Sequence, residues 1–144
     1  MDIHFADLEF PVDLHYLIEH QVWARFATDG SATVGITSLG IALAGEIYMC
    51  RPKAQGTTVE QGHSIAVVEL AKSIVSVKSP LSGTVLEVNP RLADVPEWVH
   101  RDPYGEGWLA RVSADPVNDG RGSLLHGAGV LKAMAEHARL YRIE

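Results

Sequence analysis

The fold of this chain is decided by Val68-Glu69-Leu70-Ala71-Lys72-Ser73-Ile74-Val75, which is followed by Ser79-Pro80-Leu81-Ser82-Gly83. A tight two-residue turn at Ala71-Lys72 pairs residue 68 with 75 and residue 66 with 77 in an antiparallel hairpin. One face, predicted to be buried, then carries Val68, Val75, Ala66 and Val77, and the half-solvated face carries Glu69, Val67, Ser76, Ile65 and Lys78. Ala-Lys lacks the Gly or Asn of primed turns, which leaves the turn type open. The stretch therefore predicts a hairpin with the Lys72 amine at its tip.

Outward from the hairpin, residues 31 to 112 are predicted to be mainly strands. The predicted elements are a strand at Ala32–Ile36, a short helix at Leu39–Ala44 capped by Thr37 or Ser38, a strand at Glu46–Cys50, strands at Ser64–Leu70 and Thr84–Val88, a helical turn capped by Asp94, and a closing strand at Gly107–Val112. Leu131, Met134, Ala135 and Ala138 recur at helical spacing, which predicts a C-terminal helix near residues 124–142. We expect residues 1–144 to be a single domain with a β core at about residues 31–113.

Composition narrows the function class. The chain has 144 residues, a net charge of −6 and no apolar run of membrane-spanning length, so we expect neither a nucleic-acid partner nor a membrane partner. The acidic start Met1-Asp2-Ile3-His4 lacks the pattern of a secretory signal, and one cysteine excludes an internal disulfide. A cytoplasmic location is the expectation.

Few residues are candidates for chemistry of their own. The seven histidines are scattered singly, so no metal site and no catalytic residue is predicted. Cys50 ends an apolar strand, where a buried inert thiol is the default, with thiol exchange as a secondary possibility. Taken alone, Lys72 is typical of a solvated lysine at a hairpin tip. Its neighbours change that interpretation.

From about Leu14 to Val112 the chain resembles the H protein of the glycine cleavage system. Four blocks carry the resemblance: Thr33-Val34-Gly35-Ile36-Thr37; Val68-Glu69 with Lys72 three residues later; Ser79-Pro80-Leu81-Ser82-Gly83-Thr84-Val85; and Asp102-Pro103-Tyr104-Gly105-Glu106-Gly107-Trp108-Leu109. The resemblance implies a flattened β sandwich or barrel of the lipoyl-domain (barrel-sandwich hybrid) type, mainly β with small helices and a C-terminal helix.

The resemblance also implies a cofactor and partners. It implies that Lys72 carries lipoic acid in amide linkage, and that Glu69 and Gly83 help the attachment enzymes, lipoate ligase or the lipoyl-assembly enzymes, to recognise the hairpin. Biotinyl domains flank their lysine with methionines, whereas Ala71 and Ser73 stand here, which favours lipoate. The protein is then a non-catalytic carrier whose swinging arm visits partner enzymes.

Two departures bear on the cargo. Where the family has a His-Glu-Trp run this chain has Gln21-Val22-Trp23, and Ser76 replaces the family's Asp four residues after the lysine. Those carboxylates meet the amine of the family's aminomethyl cargo; Glu19 and Glu69 are nearby acids that do not match the family positions. The departures favour the relatives that carry intermediates and reducing equivalents in sulfur oxidation with a heterodisulfide-reductase-like complex. The alternative is glycine cleavage, with glycine decarboxylase, aminomethyltransferase and dihydrolipoyl dehydrogenase as partners, and a third possibility is an unmodified interaction module.

Overall fold

The computed structural model describes residues 8–141, which form two antiparallel β-sheets flanked by short helices. The strands are β1 His15–Leu17, β2 Val22–Phe26, β3 Ser31–Ile36, β4 Met49–Pro52, β5 Thr58–Val59, β6 Ser64–Glu69, β7 Ile74–Lys78, β8 Gly83–Val88 and β9 Ala110–Ala114. The helices are α1 Ser38–Ala44, α2 Trp98–Arg101 and α3 Val130–Leu140, with 3-10 turns at Ile18–His20, Pro90–Ala93 and Arg121–Ser123.

The larger sheet has the strand order β1-β2-β3-β9-β8-β5 and the smaller one has the order β4-β6-β7. Apolar side chains from both sheets, among them Val34, Ile65, Leu81 and Val112, form the main core between them. The predicted fold class, mainly β with small helices and a C-terminal helix, is confirmed, and the sheets stack as a sandwich rather than closing into a barrel.

The predicted hairpin register is confirmed, with Val68 opposite Val75 and Ala66 opposite Val77. The burial of two hairpin residues, Ile65 and Val75, differs from the prediction. Ile65, predicted to be half-solvated, is fully buried, because a bulge between Ser64 and Ala66 turns its side chain inward. Val75, predicted to be buried, is 40% exposed because it lies close to the hairpin loop on β7, an edge strand of the smaller sheet.

The start of the sheet was predicted too late in the chain. Strands β1 and β2 precede residue 31, and β2 pairs with β3 along its whole length, Val22 opposite Ile36 and Phe26 opposite Ala32. Trp23 is fully buried beneath them, and its indole N–H donates to the carbonyls of Ile36 and Pro103. Polar and apolar residues do not alternate clearly along β1 and β2, so the sequence pattern does not distinguish these strands from a loop.

Two other strands, β4 and β9, begin later in the chain than predicted. Strand β4 begins at Met49 rather than Glu46, since the Ile47 N–H donates to the His100 ring at 3.1 Å instead of joining the ladder. The closing strand begins at Ala110 rather than Gly107, because the Gly107 N–H is held in a turn by the Asp102 carbonyl at 2.8 Å.

Contrary to the prediction, Asp94 does not cap the start of a helical turn; it is the C-cap of the 3-10 turn Pro90–Ala93. The Asn89 side chain caps the 3-10 turn Pro90–Ala93 by accepting from the Arg91 N–H, and α2 has Glu97 at its N-cap without a side-chain cap. By contrast Thr37, one of the two residues predicted to cap α1, accepts from the Gly40 N–H at 2.9 Å.

The C-terminal helix begins at Val130, later than the predicted residue 124. Gly127 and Gly129 adopt left-handed φ values of 76° and 96°, which interrupt the helical backbone before Val130. The predicted end at residue 142 lies just outside the described residues. Val130 and Met134 pack on a second apolar cluster with Leu14, Tyr16 and Trp23, which attaches α3 to β1 and β2.

Gly83 lies where β8 meets β9 too closely for a side chain. A Cβ on Gly83 would lie 2.1 Å from the Ser113 carbonyl oxygen and 2.9 Å from Val112. Because backbone atoms cannot rotate away as a side-chain end can, the strands would have to separate.

We therefore expect Gly83→Ala to destabilise the fold by about 1–3 kcal/mol. The measurement is the free energy of unfolding in urea. Gly122→Ala is the matched control, since a Cβ there meets no atom within 4 Å. Equal stability of the two variants would refute the close-approach argument.

A stacked imidazole pair joins β1 to the segment before α3. The rings of His15 and His126 lie 4.1 Å apart and nearly parallel, and His126 Nδ1 is 2.8 Å from the Leu14 carbonyl oxygen. Burial, and then the charges of His126 and Arg121, hold the pKa of His15 below its ordinary value.

Because its folded pKa is lowered, His15 binds a proton more readily in the unfolded chain, so stability is retained above about pH 6.5 and is lost as the pH falls through the folded pKa. We expect the unfolding free energy of His15→Phe to depend less steeply on pH between about 5 and 7 than that of the wild type. His63→Gln, at an exposed histidine, serves as the control and retains the wild-type slope. The same slope in all three proteins would contradict the prediction.

Candidate functional site at the hairpin tip

Lys72 lies at the exposed tip of the β6–β7 hairpin. The Leu70 N–H donates to the Ser73 carbonyl at 2.8 Å, which closes the loop around Ala71 and Lys72. Within residues 8–141 the Lys72 amine has no ion pair or side-chain hydrogen bond. Below it, β6 pairs with both β4 and β7, so the base of the tip is a three-stranded sheet. The amine is thus free and held on a rigid support.

The resemblance also implies roles for Glu69 and Gly83. These two residues differ in their exposure to solvent. Glu69 is exposed at the end of β6, opposite Ile74, so its carboxylate is accessible beside the tip. Gly83 is buried at the start of β8 against β9 and presents no surface. Its position is explained by packing, and any effect on recognition has to pass through backbone shape.

A cleft of about 410 Å³ opens beside the hairpin. Its apolar wall is formed by Ile36, Leu43, Ala44, Ile47, Val68, Val75 and Val77. The polar groups on it are those of Glu19, His20, Gln21, Ser76, His137 and Tyr141. One cleft is therefore formed by the 3-10 turn Ile18–His20, α1, the hairpin and the end of α3. The hairpin that forms part of its wall also carries Lys72.

Ser76 provides an uncommitted polar group there. Its Oγ is buried and has no hydrogen-bond partner among the described residues. A buried hydroxyl without a partner costs about 1–3 kcal/mol. A ligand that supplied a donor or acceptor to Ser76 would recover that free energy.

Gln21 is fixed in the cleft by two side-chain hydrogen bonds. Its Oε1 accepts from the Thr37 hydroxyl at 2.6 Å, and its Nε2 donates to the Ile18 carbonyl at 2.8 Å. Gln21 is also a non-glycine residue in the left-handed region, with φ 55°, which turns the chain sharply from the 3-10 turn into β2. Sequence reasoning missed this residue, because a buried polar side chain has no alternation signal.

The position of Val22 corrects one expectation. The resemblance aligned Val22 with a carboxylate that faces the cargo, but Val22 is buried in the main core and is not among the cleft residues. Gln21 and Glu19 are on the cleft instead, together with Ser76 as expected, whereas Glu69 is not. The cleft therefore includes a carboxylate, although the Glu19 side chain is 81% exposed.

Burial shifts the pKa values of His137 and Cys50 in opposite directions. Burial, and then the charge of His20, lower the pKa of His137, so this ring is neutral at pH 7. Burial raises the pKa of Cys50 to about 12, so its thiol is inert and the secondary hypothesis of thiol exchange loses its chemical basis.

Within residues 8–141 there is no cluster of three or more side chains that could bind a metal ion, and no helix is long and apolar enough to cross a membrane.

The comparisons with known proteins agree on one family. The family model described as "Glycine cleavage H-protein" matches residues 14–137. A glycine cleavage system H protein from Marinobacter nauticus is 40% identical over 129 residues, covering 90% of this chain and 95% of its own length. One from Xanthomonas euvesicatoria is 45% identical over 107 residues, which is 74% of this chain and 81% of the relative.

A solved structure is similar throughout. The crystal structure of a glycine cleavage system H protein from Mycobacterium marinum superposes with a TM-score of 0.72 at 32% identity, covering 91% of this chain and 98% of that chain. Sequence and fold lead to the same conclusion: this chain belongs to the glycine cleavage H-protein family.

Proposed function

We propose that this protein is the lipoyl carrier of a glycine cleavage system, with Lys72 as the attachment residue and an aminomethyl group as its cargo. Members of this family are non-catalytic carriers whose cofactor is lipoic acid bound covalently to a lysine. The observation that carries the proposal is a free, exposed Lys72 at the end of a rigid hairpin whose own strands line a cleft.

The other lysines fit an attachment role less well. Lys78 is half-buried within β7, where it pairs opposite Ser64. Lys53 follows β4, and its backbone N–H donates to the Ile65 carbonyl of β6. Lys132 lies in the first turn of α3. An attachment enzyme needs an amine that can be reached from all sides, and a hairpin tip provides that.

The cleft fits the group that Lys72 would carry. Valine and isoleucine side chains on the hairpin and on neighbouring elements would cover the hydrocarbon part of the arm. Once attached, lipoic acid supplies a disulfide that opens reversibly to a dithiol. The chain contributes position and shelter, and a tether on Lys72 raises the concentration of that group at a partner's active site.

The polar groups of the cleft fit an amine at the end of the cargo. A desolvated cation needs acceptors around it. Glu19 supplies a carboxylate and Ser76 an uncommitted hydroxyl, while Gln21 Oε1 keeps one lone pair beyond its bond from Thr37. These groups do the work that the family assigns to two carboxylates.

The prediction of sulfur oxidation rested on the loss of both family carboxylates. Val22, one of its two premises, does not face the cleft, and Glu19 does. The relatives named above are glycine cleavage system H proteins, and none of them is described as acting in sulfur oxidation. We therefore prefer glycine cleavage, and the heterodisulfide-reductase-like complex receives no support.

The proposed partners follow from this function. They are a lipoate ligase or the lipoyl-assembly enzymes, then glycine decarboxylase, aminomethyltransferase and dihydrolipoyl dehydrogenase. Glu69, exposed beside the tip, is proposed as a contact for the attachment enzymes, and Gly83 as a residue that acts by keeping β8 against β9.

Attachment is tested by intact mass. After incubation with a lipoate ligase, ATP and lipoate, we expect the wild type and Lys78→Arg to gain one lipoyl group and Lys72→Arg to gain none, since arginine keeps the charge but offers no amine for amide formation. A wild type that gains nothing would favour the unmodified interaction module.

The cargo is tested with the lipoylated protein, glycine, glycine decarboxylase and aminomethyltransferase, with tetrahydrofolate to accept the one-carbon group and dihydrolipoyl dehydrogenase with NAD⁺ to reoxidise the dithiol. We expect turnover, reduced about two- to fivefold in Glu19→Gln, because an exposed carboxylate contributes at most about 1 kcal/mol. Glu60→Gln, an exposed acid outside the cleft, should match the wild type. No turnover would overturn glycine cleavage, and equal turnover in both variants would remove Glu19 from the site.

A further inference from the structure

The cleft beside Lys72 contains two imidazoles that the proposed function does not use. His20 ends the 3-10 turn between β1 and β2, and His137 lies in the last turns of α3. Both line the cleft, together with Ser76 and Glu19. The two histidines come from opposite ends of the chain, and packing of α3 on the β1–β2 region brings them together.

We propose that His137, with His20 beside it, makes the cleft's hold on a cationic cargo depend on proton concentration. The inference rests on the proposed function and adds regulation to it. A neutral imidazole offers a ring nitrogen as an acceptor to an ammonium group, whereas an imidazolium repels the same group. Cargo and proton therefore compete for one position.

The charges around His137 fit this competition. The 3-10 turn Ile18–His20 contributes Glu19 and His20, whose side chains lie 3.9 Å apart. The C-cap residue of α3, Tyr141, contributes a ring whose centroid is 4.7 Å from that of His137. The hairpin contributes the uncharged Ser76. Among the described residues that line the cleft there is no lysine or arginine, so the histidines are its potential source of positive charge.

The unloaded cleft already keeps His137 neutral at pH 7. Burial lowers the pKa of His137, and the charge of His20 lowers it further, so no proton has to be displaced before a cation enters. Acidification reverses this state. Thermodynamic reciprocity requires that, if the cargo lowers the pKa of His137 by about one unit, protonation of His137 weakens the hold on the cargo about tenfold.

The test measures the pKa of His137 by NMR in the lipoylated protein before and after loading by glycine decarboxylase and glycine, with loading checked by intact mass. We expect loading to lower the pKa of His137 by about one unit, a tenfold coupling, and to leave the ring resonances of the exposed His63, which is outside the cleft, in place. In His20→Gln we expect the pKa of His137 to rise, because a neighbouring positive charge is gone.

A second readout follows the arm instead of the histidine. The docked fraction is the fraction of molecules in which the loaded lipoyl arm lies in the cleft. The methyl resonances of Val75 and Ile47, which line the cleft, report this fraction as the pH falls from about 8 to 5. We expect the docked fraction to decline with acid in the wild type and in His63→Gln, and to decline clearly less in His137→Gln, where only His20 remains; an unchanged decline in His137→Gln would overturn the inference.

The outcomes separate the two proposals. If the mass shows no loading, glycine cleavage fails and this inference fails with it. If loading occurs and the pKa of His137 does not change, the proposed function survives and the histidine inference is overturned.

Discussion

The cross-strand register of β6 and β7 is the constraint on which the candidate site depends. Val68 opposite Val75 and Ala66 opposite Val77 fix which side chains face the core and which residues form the loop. A slip by one residue would exchange the two faces, bury Ser76 in the core and move Lys72 off the tip. The bulge at Ile65 strengthens the register, because a fully buried side chain at an unpaired position fits only one alignment.

The other walls of the cleft depend on polar contacts around Gln21. Its amide joins the 3-10 turn Ile18–His20 to Thr37, and Thr37 in turn caps α1, so one buried network fixes these two elements to each other. Such a network is specific because each donor has an acceptor at hydrogen-bonding distance. The cleft therefore has a defined shape on the side opposite the hairpin, while α3 closes it through apolar packing on Tyr16 and Trp23.

Local patterns were enough to predict the hairpin and its register, and they limited the cap of α1 to Thr37 or Ser38. The pattern failed where distant parts of the chain decide the structure. Gln21 has a left-handed backbone and a buried amide, and neither property follows from neighbouring residues. His20 and His137 line one cleft only because α3 docks on the β1–β2 region. The start of α3 is set by the left-handed backbone of Gly127 and Gly129, which the spacing of apolar residues does not encode. The exposure of Val75 likewise depends on the sheet edge.

The buried position of Cys50 has a consequence for a protein that bears a sulfur ring on a mobile tether. Such a ring is opened by any thiolate within its reach, and the resulting mixed disulfide would anchor the tether to its own carrier. Cys50 is 2% exposed and stays protonated at neutral pH. The chain thus keeps its single sulfhydryl group out of contact with the ring and unreactive toward it, so the ring remains free to react with other molecules.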